Sequence, residues 1–129
     1  MDRTKTVVST PEAPAAIGAY SQAVVAAGLV HCSGQIGLDP STGEFVSDEV
    51  VLQAEQCLKN LAAVLAAAGS GFQHVLKCTV FLADMDDFAA VNEVYARAFE
   101  GVEPPARAAV AVRTLPKNAR VEIDCVALA

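Results

Sequence analysis

Apolar residues along this chain keep two different periods, and the switches between them mark out its elements. Val51, Ala54, Leu58, Leu61, Leu65 and Ala68 recur three or four residues apart, the spacing of a helix with one apolar stripe. Ser47 predicts its cap, Asp48 and Glu49 an acidic first turn, and Gly69 its end. Glu55 and Lys59 stand one turn apart on the wet face and predict an ion pair. A second stripe, Phe88, Val91, Tyr95 and Phe99, predicts another helix, with Asn92 off the stripe and facing either solvent or a neighbour. Asp84, Asp86 and Asp87 precede it and read as a cap with acids in the first turn, not as metal ligands.

Elsewhere the period is two. Residues 4–9 predict a short strand, and residues 23–33 a second one broken by Gly28 as a turn or bulge. Between them Pro11 and Pro14 hold the chain extended or turned, and Gly18 bends it just ahead of Tyr20. Residues 39–43, DPSTG, predict a turn. Residues 74–82, HVLKCTVFL, are apolar on both faces, as in a central strand that His74 opens.

The stretch from Pro104 to Val126 reads as two strands joined at Leu115, Pro116, Lys117 and Asn118, a hairpin. Val110 and Val112 point one way on the first, with Arg107, Ala109, Ala111 and Arg113 opposite; Val121, Ile123 and Cys125 alternate with Arg120, Glu122 and Asp124 on the second. Such a hairpin puts Arg107 and Glu122 on one charged face, offset by roughly 7–10 Å along the ladder, with room for a small molecule between them. An arginine there can bind an anion and a glutamate can move a proton. The same pattern also fits an edge hairpin with a solvated polar face.

Strands, helix, strand, helix and two strands make an α+β domain, a two-layer mixed sheet with both helices on one face. Nothing in the chain is left to cover the other face, and a self-associating oligomer with pockets at its interfaces would solve that. At 129 residues the chain is expected to be a single domain, 1–129. A net charge of −6, without a basic stripe, argues against a nucleic-acid partner. No apolar run is long enough for a membrane span, and the N-terminus lacks an apolar signal region, which predicts a cytoplasmic protein. Cys32, Cys57, Cys78 and Cys125 show no paired spacing and read as reduced core thiols. Ser33 has no histidine motif to act as its base, so it reads as a pocket or strand-end residue.

The segments APAAIGAYSQAV, VHCSGQIGLDPSTGE, AAAGSGFQHVLKCTVFLADMDDFAAVNEVYARAF and PPARAAVAVRTLPKNARVEIDCVAL resemble, in register over nearly the whole chain, the Rid (YjgF) family of reactive intermediate deaminases. The resemblance implies a chorismate-mutase-like fold and a homotrimer with clefts between subunits. It further implies cofactor-free and metal-free hydrolysis of small imino and enamino acids, such as 2-aminoacrylate and 2-iminobutanoate, to 2-keto acids and ammonia. By position, the family's carboxylate-binding arginine falls on Arg107 and its water-positioning glutamate on Glu122. Its pocket tyrosine and serine fall on Tyr20 and Ser33, its cleft-lining pair on Gly34 and Gln35, and its asparagine on Asn92. Four positions depart from the family pattern: Ala109 replaces a cysteine, Pro104 a phenylalanine, Ala19 a proline and Gly37 a proline. These bear on substrate preference, because the arginine and the glutamate remain.

Overall fold

A computed structural model describes residues 3–129. In chain order the elements are β1 (Thr6–Val8), β2 (Ala23–Ala26), β3 (Leu29–Gln35), α1 (Val50–Ala67), β4 (Val75–Leu82), α2 (Phe88–Ala98), β5 (Ala106–Ala111) and β6 (Val121–Leu128). The strands form one six-stranded sheet in the order β1-β2-β3-β6-β4-β5, antiparallel except where β5 joins β4. Both helices lie on one face, α1 across β3 and β6 and α2 beside α1, which is the two-layer α+β arrangement expected.

The helix stripes bury as their spacing dictates. Ala54, Cys57, Leu58, Leu61, Val64 and Leu65 of α1 are almost fully enclosed, and Val91, Val94 and Tyr95 do the same for α2. Gly69 ends α1 with a positive φ of 78°, letting Ser70 N–H donate to the Leu65 carbonyl and Gly69 N–H to that of Ala66. The start differs from expectation. Glu49 is the cap residue and Asp48 and Glu49 precede the helix, while Ser47 Oγ accepts only from Glu49 N–H (3.0 Å). Glu55 pairs with Arg97 of α2 at 3.7 Å, not with Lys59, because the helices lie close enough for a cross-helix contact. Asp84 does cap the turn into α2, accepting from Asp86 N–H, but Asp87 is drawn away into a two-oxygen ion pair with Arg120.

The terminal hairpin does not form. β5 runs parallel to β4 through the α2 crossover, whereas β6 inserts between β3 and β4. Residues 112–120 are therefore a connection across β4, too long for a tight hairpin loop. It turns at Pro116–Asn118, where Lys117 and Asn118 adopt positive φ. α1 anchors its far end: Gln53 Oε1 accepts from Arg120 N–H at 2.9 Å, and Cys57 Sγ lies 3.7 Å from the Val121 carbonyl.

Two features prepare the site. Ala27 and Gly28, both at positive φ, form the tight turn that folds β2 onto β3. The strap between β1 and β2 is stapled by Gln22, only 3% exposed. Its carboxamide accepts from Thr10 N–H (2.7 Å) and donates to the carbonyls of Thr10, Ala13 and Pro14. On the sheet face away from the helices, Val7, Val110 and Leu128 stand 57%, 43% and 45% exposed, so that face remains apolar and uncovered in the single chain.

Replacing Gln22 by leucine keeps the volume but strands the polar groups beneath the strap. Each buried group left unpaired costs about 1–3 kcal/mol, so Gln22→Leu is expected to lower unfolding stability by roughly 2–4 kcal/mol. Denaturant titration checks this; a loss below about 0.5 kcal/mol, as at an ordinary surface site, would contradict the stapling role.

Candidate active site

Side-chain alternation decides which face each residue reaches. On β6, Val121, Ile123, Cys125 and Ala127 are buried under the helices, so Glu122 and Asp124 point to the open face. On β3, Cys32 is buried opposite Cys125, and an irregularity between Cys32 and Gln35 places Ser33 and Gly34 together on the open side, beside Glu122. The carboxylate of Glu122 lies against Gly34; a Cβ at that position would overlap its carboxyl oxygen. Glycine here provides the room the carboxylate occupies.

The open face also carries a depression of about 570 Å³, lined among others by Lys5, Tyr20, His31, Cys32 and Ser33 but not by Glu122. Tyr20 is 54% exposed and projects from the strap that Gln22 staples. Ser33 N–H donates to the Gln22 carbonyl (3.0 Å), and its hydroxyl donates to the Ser21 carbonyl (2.6 Å). With its proton so committed, Ser33 Oγ is left as an acceptor toward anything in the depression. Partial burial, with Asp124 adding to it, raises the Glu122 pKa above the ordinary glutamate value. Among the described residues nothing donates to that carboxylate, so it is a partly buried proton acceptor without a protein partner.

Arg107 forms a separate centre. Its β5 position pairs with Cys78 of β4, a helix-facing residue, so its side chain lies over α2. Nη1–H donates to Asn92 Oδ1 at 2.6 Å, and the guanidinium carbon sits 4.8 Å from the Tyr95 ring centroid and 5.3 Å from that of Phe88. A cavity of about 390 Å³ adjoins it, lined by Asn92, Tyr95, Ala96, Phe99, Pro104 and Pro105. Arg107 makes no ion pair among the described residues, and all three of its partners are neutral.

Arg107 and Glu122 therefore do not share a face. Arg107 registers with Cys78 and Glu122 with Phe81, so they are two strands and three ladder positions apart, roughly 14 Å in the sheet plane, and they point to opposite sides. The single-face hairpin site is corrected on this point. The apolar residue of β5, Val110, faces the open side, while the Arg107 and Ala109 side of that strand packs toward the helices. Of the remaining expected site residues, Gly34 lies against Glu122, Tyr20 and Ser33 line the depression on the same face, and Asn92 joins Arg107. Gln35 does neither: it is buried on the helix side at the register of Ile123.

All four cysteines are buried and free. Cys32, Cys125 and Cys78 stand directly opposite one another on β3, β6 and β4, and Arg107 continues their row on β5. The Cys125 thiol lowers the Cys32 pKa, contact with Cys32 raises that of Cys125, and burial raises those of Cys57 and Cys78. Among the described residues no group of three or more His, Cys, Asp or Glu could hold a metal ion, and no helix is long and apolar enough to cross a membrane. Three residues that shape the site escaped the sequence reading. Gln22, Phe88 and Tyr95 act through contacts with segments distant in sequence, and the one available signal was that Asn92, expected off the apolar stripe, in fact falls with Phe88 and Tyr95 at i, i+4 and i+7 on one helix face.

Residues 10–129 match the family described as Endoribonuclease L-PSP. The chain is 56% identical to protein DfrA of Myxococcus xanthus over 123 residues, covering 94% of this chain and 93% of that protein. It is 54% identical to the 2-iminobutanoate/2-iminopropanoate deaminase of Mus musculus over 122 residues, covering 95% and 88%. A solved structure from Yersinia pestis, YyfA of the conserved Rid protein family, superposes with a TM-score of 0.96 at 42% identity, covering 98% of this chain and 100% of that one. With this agreement over fold and sequence, the chain belongs to the Endoribonuclease L-PSP family, whose members include the Rid proteins.

Proposed function

We propose that this protein hydrolyses small reactive 2-imino and 2-enamino acids, of the 2-iminobutanoate and 2-aminoacrylate class, to 2-keto acids and ammonia. The observation that carries the reading is a pair of charges uncompensated among the described residues: a guanidinium with only neutral partners and a carboxylate with no donor. The name of the mouse relative, at 54% identity over most of both chains, supports the same substrate class.

The chemistry follows from the two centres. The substrate carboxylate pairs with the N–H groups of Arg107 that Asn92 leaves free, the planar fork gripping both oxygens. Glu122 holds a water against the imine carbon and takes its proton as the C–O bond forms. It returns that proton to the imine nitrogen, giving a carbinolamine, and then relays the new hydroxyl's proton to the amine, so that the C–N bond breaks as the keto C=O forms and the 2-keto acid and ammonia leave. A carboxyl with a raised pKa suits both halves of that shuttle. Ser33 Oγ accepts from the substrate N–H, and the Tyr20 hydroxyl closes the open side. Water is the sole co-reactant, so no cofactor is called for.

Because Arg107 and Glu122 face opposite sides of one sheet, a joint site requires Arg107 of one protomer to meet Glu122 of another. A cyclic homotrimer that packs the uncovered faces inward provides such clefts and buries Val7, Val110 and Leu128. The working compartment is the cytoplasm, and the whole chain acts as one domain. The family description names an endoribonuclease. The net charge of −6 opposes a phosphate backbone, and His31 and His74 lie apart, one on β3 and one in the turn before β4, so an RNA substrate is disfavoured.

Generating 2-iminobutanoate in situ and timing 2-oxobutanoate release tests the reading. Wild type accelerates release, and Arg107→Ala loses about 100-fold or more in kcat/KM, since two charge-assisted hydrogen bonds are worth about 1.5–3 kcal/mol each. An Arg107→Ala rate within about twofold of wild type would remove Arg107 from the site, because losing such bonds costs far more. Absence of acceleration by wild type itself would make the cleft a ligand-binding site instead.

The pH profile gives a second check. Glu122 works ionised, and its pKa is raised, so kcat/KM falls as pH drops through a value above the ordinary ~4.3 of glutamate. Glu122→Gln should be slower and lack this limb. A limb that persists unchanged in Glu122→Gln belongs to another group and would overturn the assignment.

A further inference from the structure

We infer that Tyr95, with Phe88 beside it, is the positioning residue for Arg107: an aromatic bed that holds the guanidinium ready for a carboxylate without neutralising it. The inference deepens the proposed function and rests on its assignment of Arg107.

The strand that carries Arg107 cannot steady it. β5 is an edge strand, and its other residues are Ala106, Ala108, Ala109, Val110 and Ala111, mostly too short to flank a side chain of that reach. An unsupported arginine sweeps many rotamers, and fixing them on binding costs on the order of 2 kcal/mol of side-chain entropy. What holds Arg107 comes from α2. Phe88, Asn92 and Tyr95 lie on one helix face, and each touches the guanidinium: two ring faces at 5.3 and 4.8 Å and one amide oxygen at 2.6 Å. Two rings fix where the cation sits, and the single hydrogen bond fixes its rotation, leaving other N–H groups unspent. An acidic residue in any of these places would satisfy the cation and compete with substrate.

The bed is itself braced. Tyr95 is 6% exposed and packs on Phe99 with centroids 4.8 Å apart, and Phe99 packs on Phe72 at 4.9 Å. A column of three rings thus runs through the core and ends beneath Arg107. The Tyr95 hydroxyl contributes little, since it is buried without a hydrogen-bond partner among the described residues and has the Cys78 thiol, a weak partner, as its neighbour. The working part of Tyr95 is its ring face.

The test is calorimetric binding of 2-oxobutanoate to the purified protein, paired with steady-state imine hydrolysis, for Tyr95→Leu, Phe88→Leu, Tyr95→Phe and Arg107→Ala. Losing a ring face is expected to weaken binding about 3- to 30-fold in Tyr95→Leu, less in Phe88→Leu, with KM raised in step and kcat changed far less. Tyr95→Phe, which restores the face, recovers binding to within about twofold. Phe88 is only half-buried, so Phe88→Leu carries the test if Tyr95→Leu fails to fold. Wild-type Kd and KM in the leucine variants, with binding lost in Arg107→Ala, would show that the strand alone places the arginine and overturn the bed. Tyr95→Phe as impaired as Tyr95→Leu would overturn it too, assigning the role to the hydroxyl. Unchanged binding in Arg107→Ala would instead fell the reading of Arg107, and the bed with it.

Discussion

Strand β6 lies in the middle of the sheet and alternates strictly between its two faces, and the candidate site depends on that constraint. Val121, Ile123, Cys125 and Ala127 must face the helices, because between β3 and β4 there is nowhere else to bury them. Glu122 is thereby committed to the open face, and a slip of one residue would exchange it for core apolar groups. α1 guards the register through Gln53, which binds Arg120 N–H just before the strand begins. Gly34 leaves the carboxylate its space on the neighbouring strand. Position and protonation of Glu122 are thus consequences of packing, with burial raising its pKa.

Arg107 is held by the complementary logic. It belongs to the edge strand of the same sheet but reaches the helix side, where rings and an amide receive it. Among the described residues neither charge is neutralised, an arrangement that costs stability and is usually found where a ligand supplies the missing partner. In the proposed function the two centres form one site across a protomer boundary. The same boundary would cover the exposed Val7, Val110 and Leu128, so apolar burial and completion of the site favour one assembly.

Much of the fold was legible in the sequence, because helix stripes and strand alternation are local periodicities. The stripes of α1 and α2, the Gly69 stop and the two-layer arrangement follow from spacing alone. Pairing partners do not. Val110, Val121 and Ile123 alternate alike whether β5 and β6 form a hairpin or lie on either side of β4, and the crossover wins because the α2 connection lets β5 run parallel to β4. That non-local choice moved Arg107 to the face opposite Glu122. Tyr20, Ser33 and Gly34 were found through the family resemblance; Gly34 lies against Glu122 and Tyr20 and Ser33 line one depression, whereas Gln35 is turned into the core by the β3 irregularity. The staple made by Gln22 and the ring bed under Arg107 were illegible, since each depends on what a distant segment places beside it.

The central claim is that one site takes Arg107 from one protomer and Glu122 from its neighbour. The most direct measurement is complementation. Arg107→Ala and Glu122→Gln, each impaired alone, are unfolded together, refolded as mixed oligomers and assayed for imine hydrolysis. A shared site predicts recovery toward about a quarter of the wild-type rate at equal mixing, because one kind of mixed interface in a cyclic oligomer keeps both residues. Activity no higher than that of the separate variants would place both residues in one chain's site and contradict the account.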